Sequence, residues 1–296
     1  MNTTSQAGQS YVMAFSAEEV RRLQTMAALL APATRRLLEK AGIRAGMKVL
    51  DVGSGAGDVA LLAAELVGPT GAVVGVDSNP AMLESARARA QAAGFSTVSF
   101  VKGDLARLQL DTNFDAVVGR CILQHLGDPV AALRHLVRHL RPGGVVAFQE
   151  IDGPPAGTSV PLVPLYEQMC SWVREGLHRA GLDSRFGLQL YRVFLDADLP
   201  APQLHCDAFI GAGPNWGWYD VITESIRSLL PVIIKYGIAT AEEIGIETLA
   251  ERCREAMVKE RSVAIRPSYI SARTRIQHSE LRSSPREVLR ETHVQL

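Results

Sequence analysis

Short apolar runs alternate along the first half of the chain with segments whose apolar positions recur every three or four residues. Met47 to Asp77, MKVLDVGSGAGDVALLAAELVGPTGAVVGVD, holds an apolar run, a glycine-rich turn, a helical pattern and a second apolar run ending on an acid. The same rhythm predicts strands at about 47–52, 72–77, 97–102, 114–119 and 144–151, and helices at about 57–67, 80–93 and 128–140. Upstream, Ser16 followed by Glu19 fits a capping box. Val20, Leu23, Met26, Ala27 and Leu30 then recur at helical spacing, which predicts a helix over 16–40. RPGG at 141–144 stops one helix and turns into the next strand. Strand–helix alternation with short loops implies a parallel sheet covered by helices on both faces.

Beyond Ile151 the rhythm changes. DGPPAGTSVPLVP is rich in proline and glycine and reads as a connection leaving the sheet. Helical patterns follow at 162–180, 186–197, 219–236 and 240–258, with strand patterns at 203–211 and 269–276. Pro231 is expected to kink the helix that contains it. The tail from Gln277 is polar.

The whole-chain composition narrows the function classes. At 296 residues the chain can bury a large core. Lys+Arg and Asp+Glu are equal at 31 each, so no global field draws the protein to nucleic acid or to an anionic membrane. No stretch approaches the roughly 18 uninterrupted apolar residues of a membrane helix, and the N-terminus lacks the pattern of a secretory signal. Cys121, Cys170, Cys206 and Cys253 form no CxxC pair and suit reduced thiols, so a cytoplasmic location is expected. The seven histidines are dispersed, and none pairs with an acid at ligand spacing, so no metal is expected.

The turn DVGSGAG carries the chemistry. Gly53, Gly55 and Gly57 leave no Cβ where strand becomes helix, so a ligand can approach the backbone and use the free amides of the helix start. Asp77, at the end of the next strand, is placed to accept from both hydroxyls of a ribose. The spacing is G-x-G-x-G, with Asp51 two residues ahead, and differs from the dinucleotide fingerprint G-x-G-x-x-G.

In these motifs the chain resembles the class I S-adenosylmethionine-dependent methyltransferases, with a core like that of the ubiquinone and menaquinone C-methyltransferases. VLDVGSGAG resembles that family's first motif, VVGVDSNPAML its ribose-binding strand end, and FVKGDLARL the segment that meets the adenine. FDAVVGRCILQHLGDPVAALRHLVRHLRPGG is similar to its fourth strand, the following helix and the turn into strand five. The resemblance covers Lys48 to about Ile151. It implies an α/β fold: a Rossmann-like, mostly parallel seven-stranded sheet with helices on both faces, plus helical cap insertions. Residues 1–46 would form an N-terminal helical lid, 47–276 the methyltransferase domain with caps at about 160–197 and 214–258, and 277–296 a tail.

Carried over position by position, the resemblance implies S-adenosyl-L-methionine as cofactor. Gly53, Ser54 and Gly55 would lie against its methionine portion, with Asp51 supporting the turn or the amino group. Asp77 would take the ribose, Ser78 and Met82 would border the adenine, and Gly103, Asp104 and Leu105 would meet its amine and ring. Arg120 would offer its carbonyl to the cofactor amino group, and Tyr11 would close over the cofactor.

Methyl transfer from a sulfonium is an in-line displacement, and a general base is needed only where the acceptor must lose a proton. His125, in LQHLGD after strand four, is the best-placed base by sequence, with Glu150 second and Asp152 weaker. Trp216, Trp218 and Tyr219, in a loop with glycine and proline, are candidates to line a flat apolar acceptor site. The expected activity is O-, N- or C-methylation of a small apolar or aromatic molecule, with no nucleic-acid partner, no membrane insertion and homo-oligomerisation left open. Two rivals stand beside it: a protein of this fold that binds the cofactor as a cyclase or scaffold, and a nicotinamide-dependent oxidoreductase.

Overall fold

The computed structural model describes residues 17–110, 113–153 and 159–276, with side chains from Thr25 onward. Tyr11 and the tail from Gln277 lie outside the described residues. The first half follows the predicted alternation: α1 (Ala17–Lys40), β1 (Lys48–Val52), α2 (Asp58–Val67), β2 (Ala72–Asp77), α3 (Pro80–Ala92), β3 (Val98–Lys102), β4 (Phe114–Arg120), α4 (Pro129–Leu136) and β5 (Leu140–Asp152). Local chemistry sets the helix starts. The Asn79 side chain accepts from the amides of Ala81 and Met82, and Asp128 accepts from Ala131, each followed by a proline at the first helical position.

After β5 come β6 (Ser159–Val160), α5 (Pro164–Arg179), α6 (Leu190–Asp196), β7 (Gln203–Ala212), α7 (Trp218–Lys235), α8 (Ala241–Ile244), α9 (Leu249–Lys259) and β8 (Val263–Arg275). The predicted 240–258 helix is two, because Gly245 adopts φ 54° and closes α8. The last strand begins six residues before its predicted start at 269, on the far side of Pro267. That proline falls where the β7–β8 register shifts, so its missing N–H costs no ladder bond. α7 runs through Pro231.

The sheet has eight strands where seven were expected, and the two-residue β6 is too short to leave a periodic signal. Its order is β3-β2-β1-β4-β5-β8-β6, with β7 also paired to β8. β1 to β5 are parallel, and β6, β7 and β8 run antiparallel to their neighbours. The order reverses between β1 and β4, which opens a crevice at their carboxyl ends.

Alternate residues of the central strands face opposite layers. Val49, Ala116, Val118 and Ala147 pack with α1, α2 and α3, while Leu50, Val117, Val146 and Phe148 pack with α4 and the 186–199 segment. A third core, with Tyr166, Met169, Trp172, Ile226, Leu229 and Cys253, joins α5, α7 and α9 into a cap. Of the expected 160–197 insertion, α5 joins this cap, while Phe186, Leu190, Val193 and Phe194 cover the sheet. In α1, Leu37 and Leu38 belong to the core beneath the sheet. Among the described residues no helix is long and apolar enough to cross a membrane.

Candidate functional site

The carboxyl ends of β1, β2, β3 and β4 open into one cavity of about 640 Å³, roofed by the cap. On the sheet side it is lined by Gly53, Ser54, Gly55, Asp77, Ser78, Met82, Gly103, Asp104, Leu105, Arg120 and His125. On the cap side it is lined by Met26 of α1, by Glu167, Cys170, Val173, Arg174 and Leu177 of α5, and by Trp218, Ile222, Ser225 and Leu229 of α7. Ile265 and Tyr269 of β8 complete that wall.

The glycine turn is held from below. Asp77 accepts the Gly55 amide at 2.9 Å through one carboxylate oxygen and the Asn79 amide at 2.8 Å through the other. Asp104 accepts the Ala106 amide at 2.9 Å. Asp51 is buried with neither oxygen hydrogen-bonded, and the Ser54 hydroxyl is likewise unpartnered. Burial pushes the Asp51 carboxyl up to about 8, against the lowering pull of the Arg120 guanidinium. Of the two, Ser54 lines the cavity and Asp51 does not, and an orphaned hydroxyl beside a backbone cradle is what a bound polar ligand would satisfy.

Sequence reasoning missed a buried polar chain behind this wall. Arg120 Nη1 donates to the Thr34 hydroxyl at 3.0 Å, Thr34 donates to Gln149 Oε1 at 2.8 Å, and Gln149 Nε2 donates to Ser271 at 3.2 Å. The chain ties α1 to β4, β5 and β8 and holds the Arg120 side chain, where only its carbonyl was expected to matter. A mid-helix threonine and a mid-strand glutamine carry no periodic signal of this role.

The candidate bases fare differently. His125 lines the cavity, but burial lowers its imidazole to about 4, so it is neutral at working pH. Glu150 does not line the cavity: it is fully buried, and one oxygen accepts the amides of Ile122 at 3.0 Å and Leu123 at 2.8 Å. It braces the turn that leads to His125, because β5 directs it behind that turn. Asp152 pairs with Arg185 at 3.1 Å, likewise outside the cavity lining.

The aromatic trio separates too. Trp218 lines the cavity. Trp216 packs edge-on to Tyr219 at 5.2 Å and so close to Gly211 that an added Cβ there would lie 1.9 Å from its indole nitrogen. Tyr219 is fully buried and donates to the Gly213 carbonyl at 3.2 Å. These two are packing residues, because Trp218 begins α7 and turns toward the cavity while its neighbours face the cap core. The cap face that does line the cavity, Glu167, Cys170, Arg174 and Leu177, follows helical spacing. Its mixed polarity makes it resemble a solvated face in the sequence. Among the described residues no cluster of metal-ligating side chains forms.

Burial also raises Glu150 from 4.5 to about 8. The unfolded chain ionises at the lower value while the folded chain keeps its proton, so stability falls as pH rises from 4.5 to about 8 and then levels. Asp51 acts with the same sign. Glu150→Gln keeps an acceptor for both amides and removes the charge. Thermal unfolding across that window, without cofactor, is therefore expected to show a shallower pH slope in the variant, and equal slopes contradict a protonated Glu150.

Residues 43–185 match the family model of a methyltransferase domain. Demethylmenaquinone methyltransferase of Staphylococcus aureus is 36% identical over 136 residues, which are 46% of this chain and 53% of that protein. The chain thus spans about half the length of the curated relatives it matches. Among solved structures, the [4+2]-cyclase SpnF superposes with TM-score 0.51 at 20% identity, over 83% of this chain and 81% of that one. Phospholethanolamine N-methyltransferase 2 of Haemonchus contortus, in complex with phosphomonomethylethanolamine and S-adenosylhomocysteine, superposes with TM-score 0.50 at 18% identity, over 81% and 52%. The strand order and the glycine turn agree with that match: through residues 43–185 the chain is similar to a methyltransferase domain.

Proposed function

We propose that this protein transfers the methyl group of S-adenosylmethionine to a small, largely apolar acceptor enclosed beneath the cap. The observation that carries this reading is the continuity of one cavity from the glycine turn to the faces of α5 and α7, where Val173, Leu177, Trp218, Ile222 and Leu229 supply apolar wall. Its volume suits two small molecules held end to end. The Staphylococcus aureus relative is by name a methyltransferase of demethylmenaquinone, which is in keeping with an apolar acceptor here.

S-adenosylmethionine supplies, when bound, a methyl carbon already activated by its positive sulfur. The Gly53–Gly55 backbone gives the close approach, Ser54 offers an unpartnered hydroxyl to the methionine end, Asp51 supports the turn from behind the cavity lining, and Asp77 keeps lone pairs for ribose hydroxyls. Ser78, Met82, Gly103, Asp104 and Leu105 border the space for the adenine. Cap residues Leu177, Trp218 and Leu229 exclude water, which strengthens charge interactions within the site. The chain's work is thus positioning, an effect worth about 7–11 kcal/mol where alignment is good. His125, neutral, orients an acceptor by hydrogen bonding.

The test is incubation with methyl-labelled S-adenosylmethionine and a panel of phenols, quinones, amines and aryl acids. Label in an acceptor, with S-adenosylhomocysteine released, is the expected result; binding without by-product favours a scaffold or cyclase role, and no binding refutes both. In the same assay His125 is expected to add no inflection near 6.5. A limb there that vanishes in His125→Asn would identify a titrating base.

A further inference from the structure

The cap wall of the cavity carries a guanidinium that no carboxylate of the described residues pairs with. Arg174, on α5, lines the cavity, and its Nη2 donates to the Ser171 hydroxyl at 3.2 Å. Among the described residues no carboxylate lies within ion-pair distance of it. Five acids line the same cavity, and of these Asp104 and Asp128 each accept one backbone amide, at 2.9 and 2.8 Å. Asp58 pairs with Arg89 at 2.7 Å, and Asp77 holds two backbone amides. Glu167, two turns before Arg174 on the same helix, accepts from the amide and hydroxyl of Ser159 at 2.9 and 2.6 Å.

A second cation lies just behind. Arg266 is 2% exposed and stacks on Phe209 at 4.1 Å and Trp218 at 4.3 Å, with its Nε and Nη2 unpartnered. Its neighbours Ile265 and Pro267, and the Trp218 it stacks on, line the cavity. A guanidinium without an ion-pair partner on a cavity wall can take a ligand carboxylate through two parallel charge-assisted hydrogen bonds, or a phenolate oxygen through one.

Resting on the methyltransferase reading of this cavity, we propose that the acceptor is an apolar acid, with a hydrocarbon or aromatic body and one anionic oxygen group, and that Arg174 binds that group. Val173, Leu177 and Leu229 take the body, and the buried charge of Arg266 makes the wall behind Trp218 positive. An acceptor that arrives ionised also suits a site whose histidine is a weak base.

The test is calorimetry on the full chain, with and without S-adenosylhomocysteine, using para-butylbenzoate and its uncharged isostere para-butylbenzamide as probes. The unmutated protein is expected to prefer the benzoate by roughly tenfold or more. Arg174→Gln should equalise the two probes while leaving benzamide and S-adenosylhomocysteine affinities unchanged, and Arg174→Lys should retain part of the preference. Equal affinities in the unmutated protein, a preference surviving in Arg174→Gln, or no benzoate binding at millimolar concentration overturns the proposal. Failure of S-adenosylhomocysteine alone to bind strikes the methyltransferase reading, and the probe comparison still decides the role of Arg174.

Discussion

Replacing Gly53 by alanine is expected to abolish measurable binding of S-adenosylhomocysteine and to lower the thermal unfolding midpoint. Gly53 sits at φ +66°, a left-handed conformation that costs a residue with a Cβ about 1–2 kcal/mol. The added Cβ would also lie 2.4 Å and 2.5 Å from the Ile122 side chain. Ile122 cannot withdraw freely, because its amide and that of Leu123 are held by Glu150, and the Cys121 amide donates to the Gln149 carbonyl. Forced overpacking of this kind adds about 1–3 kcal/mol. The sum, about 2–5 kcal/mol, falls on the turn that must meet the ligand. Gly55→Ala is the matched control: its φ is +51°, but an added Cβ meets nothing within 4 Å, so the conformational cost alone is expected. Calorimetry showing unaltered affinity in folded Gly53→Ala would remove this turn from the cofactor site.

Asp77→Ala is expected to weaken S-adenosylhomocysteine binding by about 1–3 kcal/mol, roughly five- to more than a hundredfold. Two losses combine. The carboxylate is the acceptor proposed for the ribose, and it also anchors the Gly55 amide at 2.9 Å and the Asn79 amide at 2.8 Å. Asp77→Asn keeps one acceptor oxygen and should fall between. The measurement is again calorimetry, with circular dichroism to establish that the variant is folded. An alanine variant that binds as tightly as the unmutated protein would place the ribose elsewhere.

Much of the sheet half of the site is legible in the residues alone. Strand ends, glycine turns and acids following an apolar run are local features, because the chain itself sets which groups emerge at the end of a buried strand. Gly53, Asp77 and His125 were singled out on that ground, Met82 and Asp104 by the family resemblance, and all line the cavity. Glu150 shows where the logic stops. It stands one residue from Ile151, which lines the cavity, yet alternation along β5 aims its carboxyl behind the His125 turn. Trp216 and Tyr219 lie outside the cavity lining and Trp218 within it, since aromatics one or two residues apart around a helix start point in different directions and only packing selects which one faces the cavity.

From the sequence by itself came the parallel α/β core, its strand order of events along the chain, and the cradle at the carboxyl end of β1, because these depend on short-range periodicity and on residues without a Cβ. The tertiary structure decided which face of α5 meets the cavity, which aromatic lines it, and how Arg120, Thr34, Gln149 and Ser271 connect. It also decided the ionisation of Asp51, His125 and Glu150, since desolvation is imposed by atoms far away in the chain. Periodicity orients a side chain within its own element. Only the packing of distant elements determines whether that direction leads to water, to the core or to a ligand.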